Sequence, residues 1–347
     1  MDQAPASSHV RARPVTSASP HRRGRRFVVA SLAAAGLVAA AHGKDARAQG
    51  FPSRTVRLIV PWTPGGVTDA ASRVLAQRLG SELDVAVVVE NRAGANGQIG
   101  AAAVANAPAD GYTLLVASAE THSITGGGRR LPYDPLADFA PIGTFASNPF
   151  VLAGRASLAP QTLPALVDLA RRAPQPLTFG SWGAGSTGHI AVEMFKAQAG
   201  IELLHVPFQG TSPAEAALNG EQIDLLVLPV GRAIVAQSNP RVRLYSTLTA
   251  NRSALLPELP SLTEHGYQAV HAANWFGLVA PARTPEAAIA RLADALAVIV
   301  AAPAFQEELR SRGAEVLIVT QPDFQKFLET ERVRWSSAVE RAKVEYN

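Results

Sequence analysis

Twice along these 347 residues a short apolar run leads into a glycine-rich turn and then into a helical pattern. Residues 56–60 read as a strand, and Ala71, Val74, Leu75 and Leu79 recur on one helix face. Between them stands Pro61-Trp62-Thr63-Pro64-Gly65-Gly66-Val67-Thr68-Asp69. A strand at 85–89, a helix marked by Ile99, Ala103 and Val104, the turn Ala109-Asp110-Gly111 and a strand at 112–117 follow. The second unit has a strand at 177–180, a glycine-rich turn through His189, and a helix whose face is Ile190, Ala191, Met194, Phe195 and Gln198. Strands at 203–206 and 223–228 flank a helix at 212–218. Such alternation predicts α/β units with parallel strands, because parallel neighbours need crossover connections.

The Pro/Gly-rich stretch 126–149, with Leu131-Pro132-Tyr133-Asp134-Pro135, reads as a connection between the two units. After the apolar run 275–281 come helical patterns at 289–300 and 324–339, expected to pack back on the first unit. The expected organisation is two lobes, 51–148 plus 276–347 and 149–275, joined by more than one strand. A cleft between lobes is the default ligand site.

With 47% apolar and 17% charged residues the chain has material for a sizeable core. It contains no cysteine, which excludes disulfides, thiolate metal sites, a cysteine nucleophile and a lipidated cysteine. The formal charge is +4, but residues 1–48 hold eight of the 32 Lys+Arg and two of the 28 Asp+Glu. The remainder has 24 against 26, a net −2, so net charge gives no case for a nucleic-acid partner. Those first residues read as an export signal: basic residues over 21–26, an apolar stretch over 27–41, and Ala46-Arg47-Ala48 before Gln49. The stretch is shorter than the ~20 residues of a spanning helix. Arg25-Arg26 fits a twin-arginine signal as well as an ordinary one. The expected compartment is the periplasm, with the mature chain soluble and monomeric.

In the first turn Gly65 and Gly66 permit a tight bend that aims backbone N–H groups at a ligand, Thr63 and Thr68 add hydroxyls, and the helix start adds its dipole. This is an anion cradle without lysine or arginine. The alternative is a plain turn with Asp69 capping the helix, and Trp62 fits either core or cleft wall. The second turn repeats the arrangement, and two such turns facing across a cleft would hold an anion from both sides.

Gly183-Ala184-Gly185-Ser186-Thr187-Gly188 also spells a dinucleotide fingerprint. A Rossmann site needs an acid at the end of the next strand, and Leu203-Leu204-His205-Val206-Pro207 offers none. Neither Ser181 nor Ser186 has the flanking glycines of a nucleophile elbow. His189 and Glu193 share a helix face, yet two ligands without a third read as a side-chain pair, so no metal and no cofactor are expected. His122, His205, His265 and His271 are scattered. The competing class is a periplasmic NAD(P)-dependent or hydrolytic enzyme using the second turn.

Residues 51–347 resemble the Bug-type (TctC-like) extracytoplasmic solute receptors, the binding components of tripartite tricarboxylate transporters. The resemblance runs through residues 61–69, through Val87-Val88-Val89-Glu90-Asn91-Arg92-Ala93-Gly94-Ala95-Asn96-Gly97-Gln98-Ile99-Gly100, and through Asp110-Gly111-Tyr112-Thr113-Leu114-Leu115. It continues in 131–135, 180–189, His205-Val206-Pro207-Phe208-Gln209-Gly210, Gly220-Glu221-Gln222-Ile223-Asp224 and 275–281. It implies a two-lobe periplasmic binding protein fold, type II-like, that closes on a small carboxylate or dicarboxylate without catalysis. It also implies membrane permease subunits, or a sensor, as partner. The ligand positions it implies are Trp62, Thr63, Gly65, Gly66, Thr68 and Asp69, then Ser181, Gly185, Ser186 and His189, with Thr121 and His122 in a loop lining the cleft. The chain departs from the family at Trp62, where a smaller aromatic is usual, and at 125–130, where an Asn-Pro segment commonly stands.

Overall fold

The computed structural model describes residues 50–124, 131–268, 270 and 272–342. The leader read over 1–48, the divergent segment 125–130 and His271 lie outside the described residues. The first unit forms β1 (Val56–Val60), α1 (Val67–Leu83), β2 (Val87–Asn91), α2 (Gln98–Ala105), β3 (Thr113–Ser118) and the single turn α3 (Ala119–His122). A long strand β4 (Phe139–Arg155) follows, then α4 (Leu163–Arg172), β5 (Leu177–Ser181), α5 (Thr187–Ala199), β6 (Leu203–Pro207) and α6 (Thr211–Asn219). The chain continues with β7 (Leu225–Pro229), α7 (Val230–Ala236), β8 (Val242–Thr247) and β9 (Ala273–Pro281), and ends in α8 (Glu286–Ala301), α9 (Pro303–Ser311) and α10 (Asp323–Ala342).

The strands follow the order β2-β1-β3-β9-β4-β7-β5-β6, with β8 also on β4. Parallel pairing is confined to β2-β1-β3 and to β6-β5-β7, while β9 and β4 join them antiparallel, so each unit keeps its parallel core inside a mixed sheet. The stretch expected to be an irregular connection is in fact largely β4. Its first part, Phe139 to Pro149, pairs with β9, and its second, from Phe150, pairs with β7 and β8. Pro141, Gly143, Pro149 and Gly154 disguise it, since proline cannot donate to a ladder and glycine weakens a strand. The pairing absorbs the first two by register shifts between Pro141 and Gly143 and between Thr144 and Ala146.

Because β3 is antiparallel to β9 and β9 to β4, the strands β1, β2 and β3 run in the direction of β4. Strand β7 is antiparallel to β4, and β5 and β6 are parallel to β7, so these run against it. The C-terminal ends of β1 and β5, which carry the two glycine-rich turns, therefore both point toward the part of β4 where its partner changes from β9 to β7. Open α/β sheets bind ligands at such ends.

Apolar side chains of α8 and α9, among them Ile289, Leu292, Leu296, Phe305 and Leu309, join Val56, Leu58, Leu75 and Leu79 in one core, as expected of the terminal helices. Helix α10 does more. Its Phe324, Leu328 and Trp335 belong to a second core that also holds Ile59 and Leu115 of the first half-sheet, Phe179 of the other, and Ile190 and Phe195 of α5. Gly277 of β9 sits under this helix: a Cβ there would lie 2.5 Å from Phe324 Cζ and 3.1 Å from the Gly143 carbonyl oxygen. Gly277→Ala is expected to lower stability by about 1–3 kcal/mol, as overpacking does. The check is a lower urea midpoint at unchanged m-value.

Candidate functional site

The first turn is held from behind by its own helix. Gly65 has φ +90°, a conformation that glycine adopts without strain. Its N–H donates to Asp69 Oδ2 at 3.0 Å. Arg73 Nε donates to the same oxygen at 3.0 Å, and Asn91 Nδ2 donates to Asp69 Oδ1 at 2.9 Å and to the Trp62 carbonyl at 3.0 Å. Burial opposes the charge on Asp69, but these donors outweigh it and hold the carboxyl below its usual range. Asp69 is thus a brace with both oxygens engaged. Helix α1 has no side-chain N-cap bond at Gly66, so its first N–H groups lack the partner a cap would supply. Thr63, Gly65 and Gly66 are exposed, and Thr68 is half-buried. Trp62 is half-buried on the first core, with an indole N–H that has no partner among the described residues.

The second turn folds its polar groups inward too. Ser186 caps α5, accepting from His189 N–H at 3.3 Å and donating to the Gly183 carbonyl at 2.7 Å. Ser181 lies fully buried beside it, donating to the same carbonyl at 3.0 Å and sharing a 2.7 Å hydrogen bond with His205 Nε2. Gly185, at φ +70°, donates its N–H to His189 Nδ1 at 3.1 Å. The imidazoles of His189 and His205 stack at 3.6 Å with 9° between planes. Burial, helped by the nearby positive charge of Lys196, pushes His189 down to about 3 and His205 to about 4, so both rings are neutral near pH 7. Burial also raises Glu193, which lies 3.7 Å from His189 Nε2 and is paired with Lys196. Trp182 packs over Gly188 and against Phe150 of β4.

The structure thus gathers Gly65 and Asp69 in one cluster, and Ser181, Gly185, Ser186 and His189 in another. Thr121 and His122 are residues of α3 and lie in the interior with no exposed surface. Thr121 Oγ1 accepts from Ser118 N–H at 3.0 Å and bonds His122 Nδ1 at 2.8 Å. His122 packs on Phe139, its Nε2 has no partner among the described residues, and burial lowers it to about 3. The sequence reading passed over Arg73, Asn91 and His205, which hold the turns in place. Asn91 ends the strand beside β1, and that position was its one local signal. His205 pairs with Ser181 only through the β5–β6 pairing of two separate segments.

Each cluster presents the start of a helix at the C-terminal end of a parallel strand, with the Asp69 carboxylate spent on shaping the first turn and hydroxyls and imidazoles on shaping the second. Free backbone N–H groups at a helix start, together with its dipole, favour an anion.

A family model described as tripartite tricarboxylate transporter family receptor matches residues 71–344. Among solved structures, a protein of R. palustris solved with adipate is 32% identical, with a TM-score of 0.77 over 85% of this chain and 99% of its own. The periplasmic binding protein BugD is 30% identical, with a TM-score of 0.74 over 86% and 100%. MatC from Rhodopseudomonas palustris, with bound malate, is 28% identical, with a TM-score of 0.71 over 83% and 100%. The shared architecture is the two-lobe α/β binding-protein fold.

His122, His189 and His205 are neutral in the folded chain, whereas an exposed histidine takes a proton near 6.5. Below that pH the unfolded chain binds more protons, so stability present at neutral pH declines as the pH falls from about 6.5 toward about 4. Each ring contributes at most about 1.4 kcal/mol per pH unit in this window. Urea unfolding between pH 6.5 and 5 is expected to show that decline, and His205→Gln to make it shallower.

Proposed function

This chain belongs to the tripartite tricarboxylate transporter receptor family, and on that footing we propose that it holds a small carboxylate or dicarboxylate in its cleft and presents it to membrane permease subunits or a sensor. It is a solute receptor and not an enzyme. The observation that carries the ligand class is the convergence of two glycine-rich helix starts, at the ends of β1 and β5, on one stretch of β4. Each start recognises an anion through backbone donors, and Arg73, beside the first turn, is committed to Asp69. A dicarboxylate has an end for each turn, and the adipate and malate of the two R. palustris neighbours are of that kind.

The working cycle is closure of two bodies, 51–148 with 276–347 and 149–275, around the ligand. A ligand stabilises the closed form by as much as it prefers that form, and the closed form is the one a permease would read. Trp62, Thr63, Gly65, Gly66 and Thr68 would face the ligand from one side and the start of α5 from the other. Asp69, Ser181, Ser186 and His189 would act by holding those donors in place. Thr121 and His122 would support the wall from beneath. The leader would be removed after Ala48, leaving a periplasmic monomer that begins at Gln49.

Protein beginning at Gln49 is expected to be stabilised by adipate or malate, by about 2.7 kcal/mol at a hundred times the dissociation constant. Thermal unfolding with and without each acid checks this, and no response to any mono-, di- or tricarboxylate would sink the ligand class. Thr68→Ala and Ser186→Ala are each expected to weaken binding about twofold to tenfold, as loss of one neutral hydrogen bond does. Calorimetric titration checks them, and unchanged affinity in both would remove these turns from the site.

A further inference from the structure

Glu120, just past the end of β3, is buried with 4% of its surface exposed. Its Oε2 accepts from Ser118 Oγ at 2.9 Å and from Asn274 Nδ2 at 2.8 Å. Its Oε1 accepts from Thr187 Oγ1 at 2.6 Å. Asn274 has no freedom to turn its amide round, because its Oδ1 accepts from the N–H groups of Ala119 at 3.2 Å and Trp275 at 3.0 Å. Three donors on two oxygens suit an ionised, acceptor-only carboxylate.

The partners belong to different halves of the molecule. Ser118 ends β3 and Glu120 follows it, in the half that carries the first turn, whereas Thr187 is the first residue of α5, directly after the Ser186 cap of the second turn. Asn274 lies in β9 opposite Asn148 of β4, next to the place where β4 changes partners. A carboxylate of one half is thereby tied to the helix start of the other, across the line where the halves meet. Negative charge at a helix N-terminus is favourable, and a hydrogen bond to a charged acceptor is stronger than a neutral one.

We propose that Glu120 is a positioning residue that latches the second glycine-rich turn to the first lobe through Thr187, and so helps to set the closed geometry in which ligand is held. This rests on the receptor reading for its functional meaning, but the latch is a property of the ligand-free protein as well. Lobe separation breaks the bond between Glu120 and Thr187 and must rehydrate both groups, whereas the bond to Ser118 lies within the first half and the bond to Asn274 lies in β9 beside Asn148, where the strands join the two bodies. The bond therefore contributes only to the closed state, which is the condition for shifting a two-state equilibrium.

Thr187→Val removes the hydroxyl at nearly constant shape, and Thr187→Ser keeps it. The chain has no cysteine, so Ser81→Cys on α1 and Ser212→Cys on α6, both exposed, give two unique labelling positions for pulsed electron–electron distance measurement. Without ligand, Thr187→Val is expected to shift the distance distribution toward more separated lobes, while Thr187→Ser retains the original one. In titrations with adipate and with malate, Thr187→Val is expected to weaken binding roughly tenfold and Thr187→Ser to stay within about twofold. A group with a merely structural role would lower the melting temperature and leave the distances unchanged. An unaltered distance distribution in Thr187→Val, or an equal shift in Thr187→Ser, would overturn the latch. Absence of binding of either acid to the unsubstituted protein would count against the receptor reading alone, because the ligand-free distances decide the latch.

Discussion

Strand β4 is the constraint from which the remaining geometry follows. By pairing with β9 along its first part and with β7 and β8 along its second, it sets the strands of the two halves running against one another. Two similar units placed with the same polarity would aim their glycine-rich turns in the same direction, and only the first would reach the crossover. Reversing one unit about a shared strand brings both turns to the crossover. A two-sided site thus comes from one backbone element, and helix α10, which packs into the core common to both halves, covers the same junction.

Within each half, binding capacity is created by withholding side chains from the ligand. The carboxylate of Asp69 faces the Gly65 N–H, Arg73 and Asn91, and the hydroxyl of Ser186 faces the Gly183 carbonyl and the His189 N–H. Each is spent on fixing the turn, so that the remaining N–H groups at the helix start keep a fixed direction. A backbone donor carries no formal charge and loses no side-chain rotamer freedom on binding, so a turn held this way suits a receptor that must release its ligand as well as bind it. The two turns reach this result with different residues, a carboxylate with an arginine in one and a serine with stacked imidazoles in the other.

How much of this the sequence disclosed depended on whether the signal was local. Each glycine-rich turn, with the strand that feeds it and the helix that leaves it, is written within one continuous segment, 56–83 and 177–199, in a pattern that backbone conformation dictates. Strand β4 was hidden because Pro141, Gly143, Pro149 and Gly154 are all unfavourable inside a strand, and only pairing with β9 and β7 makes the segment extended. Side-chain direction was not legible in the sequence: Asp69 and Ser186 read as groups for the ligand, and in the structure they bond back into their own turns. Glu120 escaped because the donor that fixes it, Asn274, lies 154 residues away in sequence, and Thr187 lies 67 away. No periodicity brings such residues together, only the sheet order β3-β9-β4 does.

The imidazoles show why the interior of the second turn has to be dry. His189 Nδ1 is an acceptor for the Gly185 N–H, and a proton on that nitrogen would set donor against donor. In water a histidine is partly protonated near neutral pH, so a turn built on an exposed imidazole acceptor would come and go within the ordinary range. Burial removes that dependence by pushing His189 to about 3 and His205 to about 4. The stack at 3.6 Å strengthens the effect, because a charge on either ring would face the other at contact distance, with Lys196 close by. The cost of keeping two polar rings in the interior is offset by the bonds they make to Gly185 and Ser181, and what it secures is a helix start whose donors keep one geometry at any pH where the chain stays folded.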